Sequence, residues 1–89
     1  MSGANSLPGV VTHWLNQIGL ELVRSQARFA PLSSSHEAYA VLAEEVDEFW
    51  DAVKANAAAS AEMEAVQIAA TALRVLVERQ PMDKRNGAS

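Results

Sequence analysis

Apolar residues recur at helical spacing in three stretches of this 89-residue chain, separated by two short polar or proline-containing breaks. The middle stretch, His36 to Lys54, is the most strongly patterned. Tyr39, Leu42, Val46, Phe49, Trp50 and Val53 fall on one stripe of a helix. Ser34 stands where an N-cap belongs, with Glu37 three residues on, which is the spacing of a capping box. Before it, the pattern predicts a first helix from about Val10 to Phe29. Its apolar face carries Val11, Trp14, Leu15, Ile18, Leu22 and Val23, and Gln17, Glu21, Arg24 and Arg28 trace a polar seam. Gly19 inside that helix costs about 1 kcal/mol relative to alanine, and marks a place where another helix could come close. Pro31 ends the first helix, and the serines after it start the next.

The third stretch follows a short connection, Asn56 to Ser60, whose alanines could also continue a helix. A turn near Asn56 and an N-cap at Ser60 would put Glu62 and Glu64 in the first helical turn, beside the positive end of the helix dipole. The helix then runs to about Arg79, and Pro81 stops it. Its middle is apolar almost all round, from Val66 to Val77, broken by one narrow polar line: Glu64, Gln67, Thr71, Arg74 and Glu78. A helix so apolar is covered on most sides, and three helices of one small chain cannot cover it. The expectation is therefore an all-α helical bundle, three main helices per chain, completed by formation of a homodimer or homotetramer. Residues 1–8 read as a disordered leader, 9–80 as one helical domain and 81–89 as a flexible tail.

Composition narrows the chemistry. With no cysteine there is no disulfide, thiolate metal site or cysteine nucleophile. No apolar run approaches the ~20 residues of a membrane span, and no signal peptide is evident. A net charge of −4 without a clustered basic stripe argues against a nucleic-acid surface. These features predict a soluble cytoplasmic protein with no membrane or nucleic-acid partner. His13 and His36 lack partners at ligand spacing, and His36 belongs to a helix start. Trp14, Trp50 and Phe49 stand at core spacing.

The acidic residues carry what remains. Glu44, Glu45, Asp47, Glu48 and Asp51 crowd one helix, and such a run is ordinarily a solvated face. Here Glu45 and Glu48 border the apolar stripe instead of lying opposite it. A second short-spaced pair, Glu64 and Gln67, opens the polar line of the third helix. Two antiparallel helices joined by a short connection could bring these pairs face to face. Four oxygen-bearing side chains then make a hard-cation site, suited to Mg²⁺ or Mn²⁺ and to the phosphates that accompany them.

The string Glu44-Glu45-Val46-Asp47-Glu48, followed after a helix and turn by Glu64-Ala65-Val66-Gln67, resembles the E-E-x-x-E…E-x-x-D pattern of the MazG-type all-α nucleoside triphosphate pyrophosphohydrolases. The resemblance covers about residues 10 to 80. It implies hydrolysis of a nucleoside triphosphate between the α and β phosphates, giving the monophosphate and pyrophosphate, in house-cleaning or control of the nucleotide pool. By resemblance Glu45, Glu48 and Glu64 would be metal ligands with Gln67 beside them. Glu44 and Glu48 would be the catalytic carboxylates, Glu44 as a ligand or water-orienting base. Lys54 and Arg74 would hold phosphate oxygens, and the base would stack on Trp14 or Trp50 if either is partly open. Position 67 departs from the pattern: glutamine offers an amide oxygen but no charge, so the site should bind metal more weakly. The alternative is a catalytically weakened or inactive helical dimer that binds a nucleotide or protein partner.

Overall fold

The computed structural model describes residues 6–78 and contains three α-helices: α1 (Gly9–Arg28), α2 (Ser35–Lys54) and α3 (Ala58–Val77), with no strand among the described residues. Residues 1–5 of the expected leader, the expected helix end at Arg79, the stop at Pro81 and the tail 81–89 lie outside the described residues. Each helix has 20 residues and so runs about 30 Å.

Local chemistry sets the helix ends. The Pro8 carbonyl accepts from the backbone N–H groups of Val11 and Thr12, opening α1. At its other end Phe29 leaves helical geometry for an extended conformation, while its N–H still donates to the Ser25 carbonyl. Ser34 caps α2 as expected, its hydroxyl accepting from the Glu37 N–H at 3.0 Å. The Glu37 carboxylate reaches back one residue further than a capping box requires, taking both the N–H and the hydroxyl of Ser33 at 2.7 and 2.9 Å.

The turn between α2 and α3 is tighter than the sequence pattern predicts. Asn56 adopts a left-handed backbone, φ 56°. The Asn56 N–H donates to the Val53 carbonyl and the Ala57 N–H to the Ala52 carbonyl, which is the bond pair of a Schellman motif. The reversal is complete by Ala57, and the alanines that follow enter α3 at once because alanine is the best helix former. Ser60 is therefore the third residue of α3 and not its N-cap, which falls on Ala57 without a side-chain bond. Glu62 and Glu64 are carried into the second turn.

α3 packs against both α1 and α2, which barely touch each other. The three helices form an open trough with α3 as its floor. What α3 turns inward is its polar line: Thr71 and Arg74 are each 6% exposed, while Met63, Leu76 and Val77 on its other sides are open. The apolar core of the described chain is small, made of Leu32, Ala38, Ala52 and Ala70. Much of the α2 stripe stays uncovered, with Tyr39 75% and Trp50 56% exposed, so Trp50 is not the core residue its spacing predicts. A Cβ built on Gly19 meets nothing within 4 Å, so no helix of this chain uses that glycine for a close approach. Among the described residues no helix is long and apolar enough to cross a membrane.

Candidate functional site

The open side of the trough is a cleft of about 770 Å³ between α1 and α2, within the 300–1,000 Å³ range of small-molecule sites. Glu44, Glu45 and Glu48 reach it from α2, and Glu64, Gln67 and Arg74 from α3. The tight Asn56 turn makes α2 and α3 antiparallel neighbours, which is why the Glu45/Glu48 and Glu64/Gln67 pairs, sixteen or more positions apart, share one wall. α1 adds Glu21, a member of the polar seam that sequence reasoning did not place in the site.

The acids are crowded and partly dry. Glu45 is half-buried, and its Oε1 is buried with no hydrogen-bond partner; the same holds for Glu64 Oε1. Burial raises the pKa of the Glu45 carboxyl, the neighbouring Thr71 hydroxyl pulls it down, and the like charges of Glu48, Glu64 and Glu21 raise it again; the net shift is upward. Glu64 is shifted up as well, by burial first and then by Glu48, through both its charge and a hydrogen bond. A buried carboxylate oxygen without a donor costs free energy that a bound cation would recover. The donors are all oxygens, the kind that hard cations take. As the side chains stand, no group of three or more His, Asp or Glu among the described residues is placed to hold a metal ion.

The basic residues separate. Lys54 lies at the end of α2, exposed and outside the cleft lining, with its Nζ 3.6 Å from Asp51 Oδ1 and 5.6 Å from the centre of the Trp50 ring. Arg74 lines the cleft but is bound into the scaffold. Its Nε donates to Glu78 Oε2 at 3.0 Å and its Nη2 to the Ala30 carbonyl at 2.6 Å. Glu78 in turn accepts from the Leu32 N–H at 2.8 Å and from Gln26 Nε2 at 3.0 Å, so the pair ties the α1–α2 loop to the end of α3. Arg28, a member of the polar seam of α1 not placed in the site from the sequence, lines the cleft. Neither Trp14 nor Trp50 does: Trp14 borders separate grooves with Ile18 and Val66. His36 sits in the first turn of α2, exposed.

Comparison of this chain with family models, with curated proteins and with solved structures finds no match. Over the described residues, fold and site thus define an all-α, three-helix class with an acidic, open cleft.

Proposed function

We propose that the chain is a Mg²⁺-dependent nucleoside triphosphate pyrophosphohydrolase, releasing pyrophosphate and a nucleoside monophosphate, with Mn²⁺ as an alternative ion. The observation that carries this reading is the pair of buried, partnerless carboxylate oxygens on Glu45 and Glu64, two residues that line one cleft from two helices. Six glutamates (21, 37, 44, 45, 48, 64) and only two arginines (28, 74) line that cleft. A bare polyphosphate would be repelled there, whereas a polyphosphate accompanied by divalent cations would be drawn in.

In this reading Glu45, Glu48 and Glu64 hold the ion, and Gln67 offers a neutral amide oxygen beside them. When bound, the ion supplies charge neutralisation of the triphosphate and a lowered pKa for a coordinated water. Glu44, exposed at the cleft lining, orients the attacking water and takes its proton. The water oxygen bonds to the α phosphorus, the α–β bridging P–O bond breaks, and pyrophosphate leaves with the bridging oxygen. Arg74 acts here by fixing the loop over the cleft, and Lys54 has no part in the site.

The uncovered apolar side chains of α2 and α1 support a homodimer or larger homo-oligomer in a cytoplasmic setting. Fully burying one such residue contributes about 1.5–3 kcal/mol, and a single chain whose described core is one leucine and three alanines leaves most of that gain unrealised. A second reading, a scaffold that binds a nucleotide or protein partner without turning it over, is favoured by Gln67, which removes one charge from the site. A panel of canonical and modified triphosphates, assayed for pyrophosphate release with Mg²⁺ and Mn²⁺, separates the two. Turnover that disappears in Glu48→Ala and Glu64→Ala supports the hydrolase; no turnover of any nucleotide at high protein concentration leaves only the binding scaffold.

A further inference from the structure

We infer that Phe29 is the nucleobase platform of the cleft. This rests on the reading that the cleft takes a nucleoside triphosphate, and it adds where the base goes. Phe29 is the one aromatic residue among those lining the cleft, and it is 54% exposed. Its placement is built and not incidental. Its own N–H is held by the Ser25 carbonyl, and the next residue's carbonyl is held by Arg74, whose guanidinium is fixed by Glu78. The guanidinium carbons of Arg28 and Arg74 lie over the ring, 5.2 and 6.0 Å from its centroid. Bases stack on aromatic rings and on guanidinium planes alike, so ring and cations together offer a stacking surface.

The position along the cleft also fits. Glu64 and Arg74 are ten residues apart on α3, about 15 Å along its axis. Phe29 sits over the Arg74 end, where the loop is tied down, and the orphaned Glu64 oxygen marks the other. A nucleotide laid along the floor would put its base on Phe29, its ribose near Thr71 and its phosphates among the glutamates. Arg28, on the same side as the ring, is then the cation nearest the ribose and α phosphate. Stacking uses the π-face that every base has, so Phe29 sets how tightly nucleotides bind and leaves base choice to other groups.

The test is an NMR titration of the full chain, in saturating Mg²⁺, with nucleoside monophosphates and with ribose 5-phosphate, which needs no turnover, on wild type, Phe29→Ala and Phe29→Tyr. The inference expects upfield shifts of the Phe29 ring protons with each monophosphate. It expects affinity to fall roughly 5- to 150-fold in Phe29→Ala, to be kept in Phe29→Tyr, and to be unchanged for ribose 5-phosphate. Because the ring is exposed, Phe29→Ala should melt as wild type does, and Phe29→Tyr keeps the test sound if it does not. Equal affinity of wild type and Phe29→Ala for the monophosphates would overturn it, as would monophosphates binding no tighter than ribose 5-phosphate. Monophosphate binding lost in Phe29→Ala, in a protein that releases no pyrophosphate, supports the platform and removes the hydrolase. Turnover with an unchanged KM in Phe29→Ala removes the platform and leaves the hydrolase.

Discussion

Arg74 donates a 2.6 Å hydrogen bond across 44 positions to the carbonyl of Ala30, so the end of α3 holds the loop that closes one end of the acidic cleft. Its other bond, to Glu78, pairs two side chains that are each less than a tenth exposed. Breaking a buried pair from one side strands the remaining charge, which costs about 3–5 kcal/mol. In a protein of this size that is a large share of the total stability. Arg74→Ala should therefore lower the urea midpoint sharply. Arg74→Lys should recover only part of the loss, because a lysine lacks the planar fork that serves Ala30 and Glu78 together.

The carboxylates of the cleft and of the loop respond to pH in opposite directions. Glu45 and Glu64 titrate above their unfolded values, chiefly because they are buried. Their ionisation opposes folding, and stability rises as pH falls through their folded pKa values toward the unfolded ones. Burial pushes Glu78 up too, but the Leu32 N–H, Gln26 and Arg74 outweigh it, so its folded pKa is lowered. Its contribution is present above the unfolded carboxylate pKa and is lost as pH falls through the folded one. The metal-free protein should thus be most stable at mildly acidic pH, with its melting temperature rising as neutral solution is acidified and falling again at lower pH. Glu45→Gln with Glu64→Gln should flatten the rise, and so should saturating Mg²⁺.

Asn56 sets how α2 and α3 face each other, since its left-handed backbone closes both bonds of the turn. An alanine there meets the steric cost of that conformation, about 1–2 kcal/mol, whereas glycine does not. Asn56→Ala should destabilise the protein by about 1 kcal/mol in urea denaturation, and Asn56→Gly should leave stability near wild type. If the cleft works as proposed, Asn56→Ala should also weaken Mn²⁺ binding, because Glu48 and Glu64 lie on opposite sides of that turn.

The elements readable in the sequence were those with local causes. The Ser34–Glu37 spacing located the start of α2, and the apolar periodicity located all three helices within one to three residues. Ser60 misled because it has the side chain of a cap, while the true start is an alanine with no side-chain signal; the Schellman turn that moved the boundary depends on a single left-handed residue. The inward face of α3 was visible as a polar line, but not that Thr71 and Arg74 would be its most buried members. Their partners are 26 and 44 positions away, on Glu45 and Ala30. For the same reason Glu21 and Arg28 read only as part of a polar seam: how α1 is rotated against the other helices is decided by packing. Phe29 read as the last residue of α1; it stands instead at the C-cap in extended backbone, and that it lines the cleft depends on how the helices pack.

The central claim, that Glu45, Glu48 and Glu64 converge on one divalent ion, is tested most directly by titrating the metal-free protein with Mn²⁺ and following the free-ion signal by electron paramagnetic resonance. The account predicts saturable loss of that signal in the wild type, displaced by Mg²⁺, and its return in Glu48→Ala and Glu64→Ala proteins that remain folded. A wild-type titration indistinguishable from buffer, or one equally strong in both variants, would contradict it.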